Sequence, residues 1–212
     1  MRRLPVYTVL DVSGSMAGEP IEAVKNGLKT MVSALRQDPY ALETAYISVI
    51  TFNHIAQQVV PLTELAMFQE PEINASGTTS VGEALSLLSD KISHEVKKTN
   101  AEQKGDWKPL VFFMTDGLPT DDWKAGLEKF KQQKCGMVVA CAAGQHADTS
   151  ILKEITENVV SLDTADSSSI QAFFKWVSSS ISVSSAKIEN DVSETSSISE
   201  LPPPPDEVNI VI

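Results

Sequence analysis

Apolar residues in this chain fall into two kinds of run. Short continuous runs rich in β-branched residues alternate with longer stretches where apolar residues recur every three or four positions. The first kind reads as buried strand and the second as amphipathic helix. Pro5 to Leu10 is the first strand. A helix starts near Pro20, a residue suited to a first helical position. Its stripe is Ile21, Val24, Leu28, Met31, Val32 and Leu35, and Asp38-Pro39 ends it. Ala45 to Phe52 is nearly continuous in apolar and β-branched residues, so it reads as a central strand. After a turn at Asn53-His54, Ile55 to Leu62 is spotted by Gln57 and Gln58 and reads as an edge strand. The short connection makes it antiparallel to its predecessor.

Glu70 to Gly77 is loop, and a helix from about Val81 to Lys97 follows, striped by Val81, Ala84, Leu85, Leu88, Ile92 and Val96. The hydroxyl-rich Ser76-Gly77-Thr78-Thr79-Ser80 precedes it as a cap region. Pro109 to Met114 is a strongly buried strand that runs into Thr115-Asp116-Gly117. Asp121-Asp122 open the next helix, with Trp123, Leu127 and Phe130 inward. Cys135 to Ala142 is a strand, Ser150 to Glu157 a short helix and Val159 to Leu162 a short last strand. Ser168 and Gln171 have capping-box spacing and open a helix carrying Ile170, Phe173, Phe174, Val177 and Ile181. The order β-α-β-β-α-β-α-β-α-β-α predicts an α/β fold: a mostly parallel, doubly wound sheet with helices on both faces.

After Ser185 the pattern fades, so the domain is placed at 1–185 and an acidic, proline-containing tail at 186–212. That tail holds six acids against one base, a large share of the chain's net charge of −11. It lacks the apolar surface to offset ordering entropy and reads as solvated. Two alternatives stay open: Pro202 to Pro205 as polyproline II for an aromatic groove, and the alternating Val208, Ile210 and Ile212 as an added edge strand.

The 212 residues are 42% apolar, enough for one domain with a sizeable core. The acidic balance disfavours nucleic acid and anionic membrane as general partners. The apolar run ending at Asp11 is too short for a signal peptide, and no run of about 18 apolar residues could span a bilayer. Cys135 and Cys141, held in one strand, would be about 20 Å apart at roughly 3.3 Å per residue, so they read as reduced core residues. The expected compartment is the cytoplasm.

The candidate chemistry lies at Asp11-Val12-Ser13-Gly14-Ser15, where the first strand ends. One carboxylate and two hydroxyls there form a hard oxygen set suited to a small divalent cation. In open α/β sheets ligands bind at the carboxyl ends of strands. Thr78-Thr79 and Asp116 supply further oxygens at the same edge if the first and fourth strands are neighbours. The bland readings are a strand-end turn for Asp11 to Ser15, a helix cap for Thr79 and a turn for Asp116-Gly117. Asp121 and Asp122 read as helix-start acids. His54, His94 and His146 are scattered, and the lysine-rich faces (Lys97, Lys98, Lys129, Lys131, Lys134) read as solvated.

Taken in order, Asp11-x-Ser13-x-Ser15, Gly77-Thr78-Thr79 and Thr115-Asp116-Gly117 resemble the von Willebrand factor type A (vWA) domain family over about residues 3–185. The resemblance implies a metal-ion-dependent adhesion site made of Asp11, Ser13, Ser15, Thr79 and Asp116. Ser13 and Ser15 would be direct ligands, with Asp11 and Asp116 acting mainly through water or hydrogen bonds. Family spacing to the apolar Leu85 selects Thr79, with Thr78 second. It also implies a six-stranded sheet of order 3-2-1-4-5-6. The implied cofactor is a divalent cation, Mg²⁺ first, with Mn²⁺ or Ca²⁺ as alternatives, and the implied partner is a protein supplying a Glu or Asp. Arg2 to Met16, Ser76 to Leu85, Phe112 to Thr120 and Leu201 to Pro205 are similar to the tellurium-resistance (TerY) subfamily. That similarity implies a bacterial stress-response setting beside a protein kinase and a metal-dependent protein phosphatase.

Two enzyme readings compete. Phosphatases with an aspartate at this strand end need a second acid two residues on, and here that position is Ser13. No Gly-rich Lys-Ser/Thr phosphate loop, nearby His base or strand-end Cys nucleophile accompanies it. A dinucleotide site is set aside because the first turn lacks Gly-x-Gly-x-x-Gly and carries Asp11 and Glu19. The chain is therefore expected to be a non-enzymatic, cation-dependent interaction module, with a metal-dependent hydrolase or phosphotransferase as the alternative.

Overall fold

The computed structural model describes residues 2–189, 195 and 197–211. Its strands are β1 (Leu4–Asp11), β2 (Ala45–Phe52), β3 (Ala56–Glu64), β4 (Leu110–Thr115), β5 (Met137–Ala143), β6 (Val159–Leu162) and β7 (Asn209–Ile210). Its helices are α1 (Glu19–Leu35), α2 (Pro39–Thr44), α3 (Val81–Glu95), α4 (Trp123–Lys131), α5 (Thr149–Ile155) and α6 (Ser167–Glu189). The sheet order is β3-β2-β1-β4-β5-β6-β7. β1, β2, β4, β5 and β6 are parallel, while β3 and β7 run antiparallel at the two edges.

The central strands are buried on both faces because their continuous apolar runs alternate between two cores. Leu4, Val6 and Leu10 of β1 and Phe112 and Met114 of β4 pack with Met31 of α1 and Phe173, Phe174 and Val177 of α6. Tyr7, Val9 and Phe113 face the other way, onto Leu85 and Leu88 of α3, Leu127 and Phe130 of α4 and Leu152 of α5. Phe52 stacks on Phe113 with ring centroids 5.2 Å apart. This is the three-layer α/β architecture expected from the alternation of elements.

Three features depart from the sequence expectation. First, Asp38-Pro39 ends α1 and also starts α2: the Asp38 carboxylate accepts from the Tyr40 and Ala41 N–H groups, and Pro39 sits where its missing N–H costs nothing. Second, Cys135 precedes β5 and only Cys141 lies within it. Burial pushes the Cys135 thiol up to about 12 and the Cys141 thiol further up.

Third, among the described residues the sheet has seven strands, where six were expected, and the C-terminal segment packs on the domain, against the solvated reading and in line with the edge-strand alternative. α6 continues past residue 185 to Glu189. Leu201 and Val208 join the core, and β7 pairs Ile210 with Val160. Trp176 on α6 donates its indole N–H to the Pro202 carbonyl at 2.8 Å. Leu201 and Val208 are two buried anchors that the polar composition of the segment did not announce, and the indole hydrogen bond is a third tie. Asp191, Glu194 and Ile212 of the expected tail lie outside the described residues.

Candidate metal centre

Strand register builds the site. β1 pairs with β4 so that Leu10 lies opposite Met114, and the chains that leave these strands diverge side by side at the carboxyl edge. Three loops meet there: 11–16, 76–80 and 115–121. They are stitched by backbone hydrogen bonds, Ser76 N–H to the Val12 carbonyl at 2.8 Å and Gly14 N–H to the Gly77 carbonyl at 2.9 Å. Gly77 has φ of +78°, and a Cβ there would sit 2.6 Å from His54 Nδ1, so glycine is required. Thr79 and Thr120 exchange two bonds: Thr120 N–H to the Thr79 carbonyl at 2.8 Å, and Thr79 N–H to Thr120 Oγ1 at 3.1 Å.

Side-chain oxygens form a chain across the crevice. Asp11 is fully buried. Its Oδ1 accepts from the Ser13 N–H at 2.8 Å and its Oδ2 accepts from Thr115 Oγ1 at 2.6 Å. The Ser13 and Ser15 hydroxyls are 3.0 Å apart, and Ser15 Oγ donates to Asp116 Oδ1 at 2.8 Å. Thr79 is buried, with Oγ1 3.6 Å from where a Cβ on Gly117 would lie, whereas Thr78 is exposed. The structure thus gathers Asp11, Ser13, Ser15, Thr79 and Asp116 into one crevice that Ser15 leaves open to solvent.

Burial pushes the Asp11 carboxyl above the usual aspartate range, against the lowering effect of the Ser13 and Thr115 hydrogen bonds. Asp116 is raised for the same reason, opposed by Ser15, by its own backbone N–H and by the field of His146. Burial thus opposes ionisation at both positions, and a cation beside them would favour the ionised forms. The donor set fits a small cation. Cis ligands of an octahedral ion bound at 2.0–2.1 Å stand about 3.0 Å apart, the spacing already present between the Ser13 and Ser15 hydroxyls. Both Asp11 oxygens are occupied by protein donors, which suits an orienting role over direct ligation.

Several residues named from sequence have supporting roles that were not assigned to them there. Thr115 holds Asp11, although it stands in the Thr115-Asp116-Gly117 motif that was noticed. Asp121 does not cap its own helix; it accepts from the Gly82 and Glu83 N–H groups at the start of α3, tying the 115–121 loop to that helix. His146, read as a scattered surface histidine, is exposed but close enough to Asp116 to act on its charge. Nothing local in the sequence announces the last two, because both join elements distant along the chain.

Comparison with known proteins gives a consistent picture. Over 123 residues the chain is 32% identical to the uncharacterized Synechocystis protein sll0103, covering 55% of this chain and 26% of that protein. The fold is similar to that of a von Willebrand factor type A protein from Catenulispora acidiphila, with a TM-score of 0.64 at 15% identity, over 85% of this chain and 43% of that one. It is also similar to proximal thread matrix protein 1 of the mussel byssus, solved with a zinc-occupied MIDAS motif, with a TM-score of 0.58 at 20% identity, over 87% and 46% of the two chains. The chain thus spans about a quarter of its curated relative and less than half of these structures. The von Willebrand factor type A domain model matches residues 6–176, and the chain belongs to that family.

Proposed function

We propose that this protein is a non-enzymatic, divalent-cation-dependent interaction module whose partner supplies a carboxylate to the metal. The observation that carries this reading is the composition of the crevice. Two hydroxyls at 3.0 Å and a threonine flank only two carboxylates, and one of those has both oxygens already engaged. Ser13, Ser15 and Thr79 would hold Mg²⁺, with Asp11 and Asp116 behind them, and would leave it much of its positive charge, which would supply an attraction for an external Glu or Asp. Zinc in the mussel relative's motif supports a divalent ion at this position, and Mg²⁺ is favoured by the all-oxygen donor set. Leu118, two residues beyond Asp116 and 56% exposed, offers the partner an apolar contact beside the metal.

Position 13 is a serine, so no side-chain carboxylate stands two residues beyond Asp11 to act as general acid. That supports a site which holds a ligand and does not attack one. Failure to hydrolyse para-nitrophenyl phosphate with Mn²⁺ is the expected result; turnover abolished by Asp11→Ala would revive the enzyme reading. The likeness of Arg2 to Met16 and Leu201 to Pro205 to tellurium-resistance relatives supports a stress-response setting, with a protein kinase and a metal-dependent phosphatase as partners. The test is affinity capture from the source cell in Mg²⁺ and in EDTA. A partner retained in Mg²⁺ and lost both in EDTA and with Asp11→Ala is expected. Equal capture under all three conditions would overturn the proposal.

A further inference from the structure

At the opposite edge of the sheet from Ser13 and Asp116 lies a cavity of about 580 Å³. Three segments distant in sequence line it: the end of α3 and the residues after it, the approach to β4, and the residues after α4. Ile92 and Val96 give it an apolar part, and Ser93, Thr99, Gln132 and Gln133 give it neutral polar groups. Gln133 is held in place, its amide donating to Ser89 Oγ at 2.9 Å and accepting from Ser93 Oγ at 3.2 Å.

The charge of this cavity runs against that of the chain. Lys97, Lys98, Lys108 and Lys134 all line it, in a protein of net charge −11. Asp106 is the acid among the lining residues. Arg3 pairs with it at 2.5 Å and the Lys97 N–H donates to it at 2.7 Å. The nearby Glu95 carboxylate is turned away and accepts from the Tyr7 hydroxyl and the Gln58 amide, each at 2.9 Å. Cations often gather at helix C-termini to meet orphan carbonyls. Here the Ile92, Lys129 and Phe130 carbonyls already accept from the Val96, Gln132 and Gln133 N–H groups. Those three helix-end carbonyls therefore do not need the lysines as partners.

We propose that this cavity binds a small phosphorylated ligand with an apolar or ring-bearing body. Lysine ammoniums act as point charges for phosphate, and Lys97, Lys98 and Lys134 around one cavity match a multiply charged anion. Ile92 and Val96 seat the body, and the Gln132 and Gln133 amides with the Ser93 and Thr99 hydroxyls orient it. The volume lies within the range of small-molecule sites, which favours a small ligand over an acidic protein surface.

The test uses the full chain in EDTA, so that no cation at Ser13 and Ser15 can recruit phosphate. Adenosine triphosphate and inorganic tripolyphosphate serve as probes, with binding followed by calorimetry. Adenosine triphosphate should bind saturably, with tripolyphosphate several-fold weaker. The K97E/K134E variant should bind at least about tenfold more weakly. K124E/K175E, the same charge change at exposed helix positions outside the cavity, should bind as wild type does. Absent saturable binding, tripolyphosphate binding as tightly as the nucleotide, or equal losses in the two charge-reversed variants would each overturn the proposal.

Discussion

Thr115→Val removes one hydroxyl and little volume, at a position where the hydroxyl serves the carboxylate on which the crevice depends. Thr115 Oγ1 donates to Asp11 Oδ2 at 2.6 Å, and both residues are buried. A hydrogen bond to a charged group contributes roughly 1.5–3 kcal/mol, and its loss leaves a desolvated oxygen without a donor. Thr115 Oγ1 also accepts a longer bond from the Gly117 N–H at 3.3 Å. The expected cost is about 2–3 kcal/mol, or a fall in Tm of about 4–12 °C for a domain of this size. Thr8→Val is the control, because Thr8 Oγ1 is equally buried but donates to the neutral Ser48 carbonyl at 3.1 Å. That loss should cost about 1 kcal/mol. Calorimetric melts of both variants in EDTA at neutral pH make the comparison. If Thr115→Val costs no more than Thr8→Val, the ionised Asp11 does not draw on Thr115 and the account of the crevice fails.

Other predictions concern metal, packing and the C-terminal segment. Because burial raises the folded carboxyls of Asp11 and Asp116 above the usual aspartate range, their contribution in the metal-free protein is lost as pH rises from that range through the folded values. Mg²⁺ binds the ionised form, so its stabilising effect should grow with pH over the same window and reach about 2.7 kcal/mol at a hundredfold excess over Kd. Melts with and without Mg²⁺ across that window check this, and a shift largest at the acid end would contradict it. Gly126→Ala should destabilise by more than about 3 kcal/mol despite the better helix propensity of alanine, because a Cβ there would come 2.1 Å from the Gly82 carbonyl oxygen where α3 crosses α4. A denaturant midpoint equal to wild type would rule out that close approach. Leu201→Ala should cost about 2–4 kcal/mol as a core truncation, and a change below about 0.5 kcal/mol would return the segment to solvent.

Much of this architecture was legible because its signals are local. The unbroken apolar runs of β2 and β4 announced central strands, and the stripe from Ile21 to Leu35 announced α1. The order of the sheet came from family resemblance, since no local pattern states which strands are neighbours. What stayed hidden depends on contacts across the chain. Leu201 and Val208 are single apolar residues among prolines and acids, and their burial follows from the surfaces of α6 and β6 that receive them. Asp121 looked like the start of its own helix, yet the loop carries it to the α3 N-terminus. Lys97 and Lys134 are exposed, as expected, but that they share one cavity was not legible, because only the fold brings the ends of α3 and α4 together. At Asp38-Pro39 the stop signal for one helix is also the start signal for the next, and a reading that stops at the first meaning misses α2.

The central claim is that Asp11, Ser13, Ser15, Thr79 and Asp116 hold one cation between the ends of β1 and β4. Anomalous diffraction from crystals grown with Mn²⁺ tests it most directly. The account predicts one strong peak within bonding distance of both the Ser13 and Ser15 hydroxyls, lost in Asp11→Ala crystals. A crevice without a peak at millimolar Mn²⁺, or a peak that survives Asp11→Ala unchanged, would contradict it.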